Sequence, residues 1–212
     1  MGFLQNIFES KEEKEYKIVL AQVSNPLMDK IDAFEEKEIR EFFKVILDTA
    51  ERSLRGILFK APEEFDFKKQ LSKEDIDFWL RKVSLVLVAF SYYFFSGGED
   101  SPLVQSSYRM YWQWMFDSYN EIFGEKITIK EINYYTAGLK EDTEKGYSKA
   151  GDMKKVYELT TKDYKTTGAE LIQKVWREES VPNEKKSLFV GARIWQAHQQ
   201  IVQPFLPKLL NM

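Results

Sequence analysis

Cysteine is missing from this 212-residue chain altogether, and histidine occurs once, at position 198. The first absence removes disulfides, thiolate zinc sites and cysteine nucleophiles together, and it suits a reducing, cytoplasmic setting. The second removes much of the remaining acid–base and metal chemistry. A helical di-iron centre wants two Glu-x-x-His motifs, a zincin wants H-E-x-x-H, and the sequence contains neither. A Ser-His-Asp triad would have to use His198, with no G-x-S-x-G elbow to supply the serine. No glycine-rich phosphate loop of the Walker or dinucleotide kind occurs. The expectation is a protein without metal or cofactor; whether it is an enzyme is left open, a non-enzyme being favoured over an acid–base pair of His198 with a nearby carboxylate.

A surplus of charge of one sign is also lacking. Lysine and arginine number 31 against 34 carboxylates, for a net charge of −3, so no basic field favours a nucleic-acid backbone. Tyr134, Tyr135, Tyr147, Tyr157 and Tyr164 do alternate with lysines, a pattern that binds single strands by stacking. Eight acidic residues share residues 125–165 with nine lysines, which argues against nucleic acid there. Long apolar runs are absent as well. The longest, VSLVLVAFSYYFF at residues 83–95, has 13 residues, short of the ~20 a spanning helix needs. The opening MGFLQNIFESKEEKEYK reads as no secretory leader, and Asn6 stands where a myristoylation motif wants Ser or Thr.

What is present is aromatic and helical. Strand alternation is almost missing, while apolar residues at Ile39, Phe42, Phe43, Ile46, Leu47, Ala50, Leu54, Ile57 and Leu58 trace one helix face. This helix is expected to begin after Pro26 and stop before Pro62, following an earlier one over residues 9–21. Its other face, with Glu41, Lys44, Asp48, Glu51, Arg52 and Arg55, reads as solvated salt bridges. Capping boxes at Ser72–Asp75 and Thr128–Glu131 open further helices. Gly97-Gly98 ends the first of these, and Pro102 begins a helix that Gly124 ends. The polar stretch EDTEKGYSKAGD, residues 141–152, reads as a loop and as the candidate boundary of a C-terminal subdomain. Beyond it come a short helix from Met153, another capped at Thr167 and Glu170, and a last one from Pro182 to about Val202. The fold class is all-α: one multi-helix bundle of about eight helices, with a buried hub at residues 83–95, apolar all round its axis.

In the aromatic helix, Val104, Tyr108, Tyr111, Trp112, Met115, Phe116, Tyr119, Ile122 and Phe123 fall within about 140° of one another, the width of a core-facing stripe. Met110 and Trp114 break that pattern on the polar side. They are either covered by another helix or form an apolar spot for a protein partner. On the last helix His198 falls inside the apolar arc beside Ile194, Trp195, Ile201 and Val202, with Ser187 and Gly191 nearly in line. It reads as a buried histidine bonded to a core partner, or else as the titratable group of a groove opened by Gly191. Two further edges are apolar: Phe3, Leu4, Ile7 and Phe8 at the start, and Phe205, Leu206, Leu209 and Leu210 at the end, the latter read as a flap with a P-x-x-P at Pro204 and Pro207.

The function expected from these residues is protein–protein contact, with self-association as one form of it. The alternative is a small apolar or aromatic ligand held between helices, near Gly191, Trp195 and His198.

Overall fold

The computed structural model of the protein describes residues 10–68, 70–96, 102–177 and 183–210, the side chains of 94–96, 102–109, 143 and 208–210 excepted. Its elements are α1 (Lys11–Asp32), α2 (Lys37–Lys60), α3 (Lys73–Ser96), α4 (Pro102–Phe123), α5 (Ile129–Tyr135), α6 (Ala137–Lys145), α7 (Tyr147–Ala150), α8 (Met153–Val175), α9 (Glu184–Ala197) and α10 (Gln203–Leu210). A 3-10 turn at Glu63–Phe65 follows α2, and a π turn at His198–Val202 fuses α9 to α10. No strand occurs among the described residues. The chain is an all-α, multi-helix bundle.

Helix α3 is the hub. Every residue from Val83 to Phe90 is at most 1 % exposed, as a helix apolar on all sides must be when neighbours surround it. Helices α1, α2, α4, α5, α8 and α9 and the π turn all pack on it. Each buried aliphatic side chain there contributes about 1.5–3 kcal/mol. Two polar tips in this core find carbonyls: Trp79 Nε1 donates to Ala50 O at 3.0 Å, and Tyr119 Oη donates to Arg81 O at 2.8 Å. On α4, Trp112, Met115, Phe116, Tyr119, Ile122 and Phe123 are buried and Tyr111 is half-buried. The Val104 and Tyr108 side chains lie outside the described residues, as do Gly97-Gly98, Ser101, Pro182 and the apolar residues Phe3, Leu4, Ile7 and Phe8.

Both capping boxes form. Ser72 Oγ accepts from Asp75 N at 3.1 Å while Asp75 Oδ2 accepts from Ser72 N at 3.1 Å. Thr128 and Glu131 exchange the same pair, and Gly124 closes α4 in the left-handed region at φ 72°.

Four boundaries differ from the sequence expectation, and prolines and glycines account for them. Helix α1 runs through Pro26 to Asp32. The interior ring costs about 3 kcal/mol, but Val23, Leu27 and Ile31 are buried around it and hold the helix. The break falls instead at residues 33–36, where Arg40 Nη1 of α2 donates to Phe34 O and Glu35 O and so closes the corner. Residues 141–152 are mostly helix rather than loop, because Gly146 and Gly151 terminate α6 and α7 as left-handed caps. Thr167 and Gly168 cap nothing: α8 is continuous, and both residues are buried. Finally, the last helix passes Pro204 to Leu210. Gln203 N donates to His198 O across the π turn, so Pro204 enters near the start of a new α segment, where a missing N–H is tolerated. Residues 203–210 are thus helical, and Leu206 is buried.

Helices α8 and α9 run antiparallel at backbone contact. A Cβ built on Gly168 would lie 1.8 Å from Ser187 O, and one on Gly191 would lie 2.0 Å from Tyr164 O. Each helix gives up a side chain opposite the other's carbonyl. Gly138 does the same for α6, whose Cβ would meet Leu159 O of α8 at 2.4 Å. At that junction the buried Asp163 accepts from Gly138 N at 2.8 Å and Leu139 N at 3.1 Å, satisfying first-turn donors of α6.

Candidate functional site

Three places carry the residues that the sequence singles out or overlooks. The first is the surroundings of His198. Its ring is fully buried, edge-on to Phe90 with centroids 5.8 Å apart and stacked on Trp195 at 5.9 Å. Its Nε2 lies 3.2 Å from Ser91 Oγ. The Ser91 hydroxyl also donates to Leu87 O at 2.8 Å, within its own helix. Burial pushes the pKa of His198 down to about 3, which keeps it uncharged at neutral pH. Trp195, half-buried, fills the space between Phe90 and Tyr164, with centroids 4.9 and 5.4 Å away.

Gly191 does not open a groove beneath His198, contrary to the sharper expectation. The space its missing side chain leaves is taken by the α8 backbone at Tyr164. A glycine in line with a histidine reads the same in sequence whether a ligand or another helix occupies the gap; here it is a helix.

The second place is the polar side of α4. Met110 is 76 % exposed, whereas Trp114 is half-buried and packs against the core, its ring 6.0 Å from Tyr111. The two residues that break the helical pattern therefore part company: one is half covered and the other stands in solvent. Beyond them, Gln113, Asp117, Asn120 and Glu121 are exposed, two neutral residues and two carboxylates.

The third place is one that periodicity passes over. Between α1 and α2 lies an open groove of about 620 Å³, lined by Tyr16, Lys17, Leu20, Asp48, Glu51, Arg52, Arg55, Gly56 and Lys60. The charged face of α2, read from sequence as solvated, forms one wall. Ion pairs tie that wall together and to α1: Arg52 Nε to Asp48 Oδ2 at 2.8 Å, and Arg55 Nε to Glu13 Oε1 at 2.8 Å. Burial raises the Glu51 carboxyl above its usual range, against the hydrogen bond of Ser24 that lowers it. Tyr16 is only 4 % exposed, and its hydroxyl is buried with no hydrogen-bond partner among the described residues. Burial raises the phenol, as does the Glu51 charge, while Arg55 lowers it. Gly56 sits inside α2 in the right-handed region, and a Cβ built on it meets nothing within 4 Å. One sequence signal could have found this groove: a glycine in the interior of a long helix, on its charged side, where nothing about the helix asks for it.

Among the described residues, no group of three or more His, Asp or Glu could hold a metal ion, and no helix is long and apolar enough to cross a membrane. The chain matches no family model, and no curated protein or solved structure resembles it.

Proposed function

We propose that this protein works by protein–protein contact, and that the contact is a homodimer made across α4. The observation that carries the reading is Met110, standing 76 % exposed one turn from the half-buried Trp114. Exposed methionine beside tryptophan suits an interface, because a flexible thioether packs well against an aromatic edge and tryptophan is enriched where binding energy concentrates. The face around them supports a second copy of the same chain as the occupant. Gln113 and Asn120 are neutral, while Asp117 lies one turn beyond Trp114 and Glu121 one turn further. Two such faces meeting antiparallel about a two-fold axis would lay each Met110 against the other Trp114.

Light scattering on size-exclusion fractions across a wide concentration range tests this. A mass that doubles with concentration, and that Met110→Glu returns to the monomer, is the expected result. A monomer at every concentration removes the reading.

The inter-helix ligand near His198 loses its room to the Tyr164 backbone and gains no support from the closed contact there.

A further inference from the structure

A chain without cysteine keeps all its sulfur in methionine, here six residues. Its sulfur redox chemistry is therefore that of the thioether, which a peroxide converts to the sulfoxide. The methionines are unequally placed. Among the described residues Met115 is fully buried and Met28 is partly buried against the core, while Met110 is 76 % and Met153 66 % exposed. An oxidant in water reaches the last two first.

Those two share their access and differ in their surroundings. Met110 lies on α4, one turn before Trp114, at the centre of the face assigned above to the dimer. Met153 opens α8, which packs on α3, α6 and α9, and lies outside that face. The chain thus carries its own control: two thioethers of similar exposure, one at the contact and one away from it.

The oxidation changes what the contact must bury. The sulfur lone pair forms a bond to one peroxide oxygen as the O–O bond breaks. The sulfur gives up two electrons, and the other oxygen takes the proton of the transferred one and leaves as water. A flexible apolar side chain becomes a polar one. On the free chain water solvates the new oxygen. Packed on the Trp114 of a second copy, that oxygen must shed its water.

We propose that Met110 is an oxidation site that regulates self-association: peroxide converts its thioether to the sulfoxide, and the oxidised chain remains a monomer. This rests on the α4 dimer reading. Two-fold symmetry places two sulfoxides in every contact, so the effect counts twice. Reduction of the sulfoxide by a sulfoxide reductase at the expense of a thiol restores the thioether and makes the switch reversible. The dimer in turn hides Met110, so oxidation there proceeds through the monomer while Met153 stays open throughout.

The test treats the full chain with hydrogen peroxide, first at a concentration where light scattering gives the dimer and then in dilute solution. Peptide mass spectrometry follows the oxygen gained at each methionine. Met110 and Met153 should react before Met28 and Met115, and Met110 should lag behind Met153 only at the higher concentration. Complete oxidation should raise the dissociation constant of the dimer about ten-fold per sulfoxide, hence about a hundred-fold, and leave the melting temperature of the dilute chain unchanged. Met110→Leu, similar in volume, should dimerise and ignore peroxide, whereas Met153→Leu should respond as the unmodified chain does. A dimer that survives complete oxidation of Met110, or that dissociates equally in Met110→Leu, overturns the switch and leaves the dimer standing. Oxidation of Met115 in step with Met110 overturns it too, since the fold rather than the contact would then be opening. A chain that is monomeric before any peroxide is added overturns the dimer and the switch together.

Discussion

The helix pairs α8/α9 and α1/α2 use glycine in opposite ways. In the first pair Gly168 and Gly191 bring two backbones together until no side chain fits between them. In the second, Gly56 faces open space, and the helices are bridged by long charged side chains, such as Arg55 reaching Glu13. One pair is shut by what it omits; the other is held apart by what it carries. Glycine in a helix therefore has no fixed meaning. Its neighbours across the gap decide whether it closes a contact or keeps one open.

Substitution should separate the two most sharply at Gly168. A leucine there must displace the Ser187 backbone, and we expect a loss of several kcal/mol, above the ~1–3 typical of overpacked cores. Urea denaturation should find little or no cooperative transition. Gly56→Leu, by contrast, should keep one.

Acid should come next, and it should act on the closed side. His198 has its folded pKa lowered to about 3 from a usual 6.5, by burial. The unfolded chain thus binds the proton more readily throughout that interval, and stability falls as pH drops from about 6.5 toward 3, by at most ~1.4 kcal/mol per pH unit. Asp163 works the other way. Burial raises its carboxyl to about 6 from 3.8, against the two amides that lower it, so its contribution is present at low pH and lost as pH rises through that window. Between about 3.8 and 6 the two oppose each other. Asp163→Asn should steepen the acid limb of a stability–pH curve, and His198→Gln should flatten it. An unchanged curve in both variants would mean that neither group is buried as described.

Gly56→Ala should stabilise the free chain by about 0.5–1 kcal/mol, since the site accepts a methyl group and the unfolded chain loses freedom. Thermal melts would show the rise, and a fall would mean that the open space is occupied. The smallest effect belongs to the bridge across the groove. Arg55→Gln removes a pair whose arginine is half exposed, which is worth under ~1 kcal/mol and weakens further with salt.

Much of the bundle is legible in the sequence, for local reasons. The boxes Ser72/Asp75 and Thr128/Glu131 announce their helices because donor and acceptor lie three residues apart, within one turn. The hub shows through its lack of a polar face. What misleads is any signal whose meaning lies across space. Pro26 and Pro204 look like helix stops, yet buried neighbours carry one helix through and a π turn accommodates the other. Thr167-Gly168 looks like a cap and is a contact. Gly191 looks like an opening beside His198, and its occupant is a carbonyl 27 positions earlier in the chain, at Tyr164. The groove was hidden most completely, because Asp48, Arg52 and Arg55 show the spacing of an ordinary wet surface, and Tyr16 shows no feature until α1 is laid beside α2.

The π turn at His198–Val202 also acts as a phase shift. Each α residue advances the helix by about 100°, so one residue more or less in that turn rotates everything beyond it by that angle. Deleting Gln199 or Gln200, both exposed, would leave α10 pointing the wrong way, with Leu206 swung from the core toward solvent. The two glutamines matter here as a count rather than as side chains: they set the angle at which α10 meets the rest.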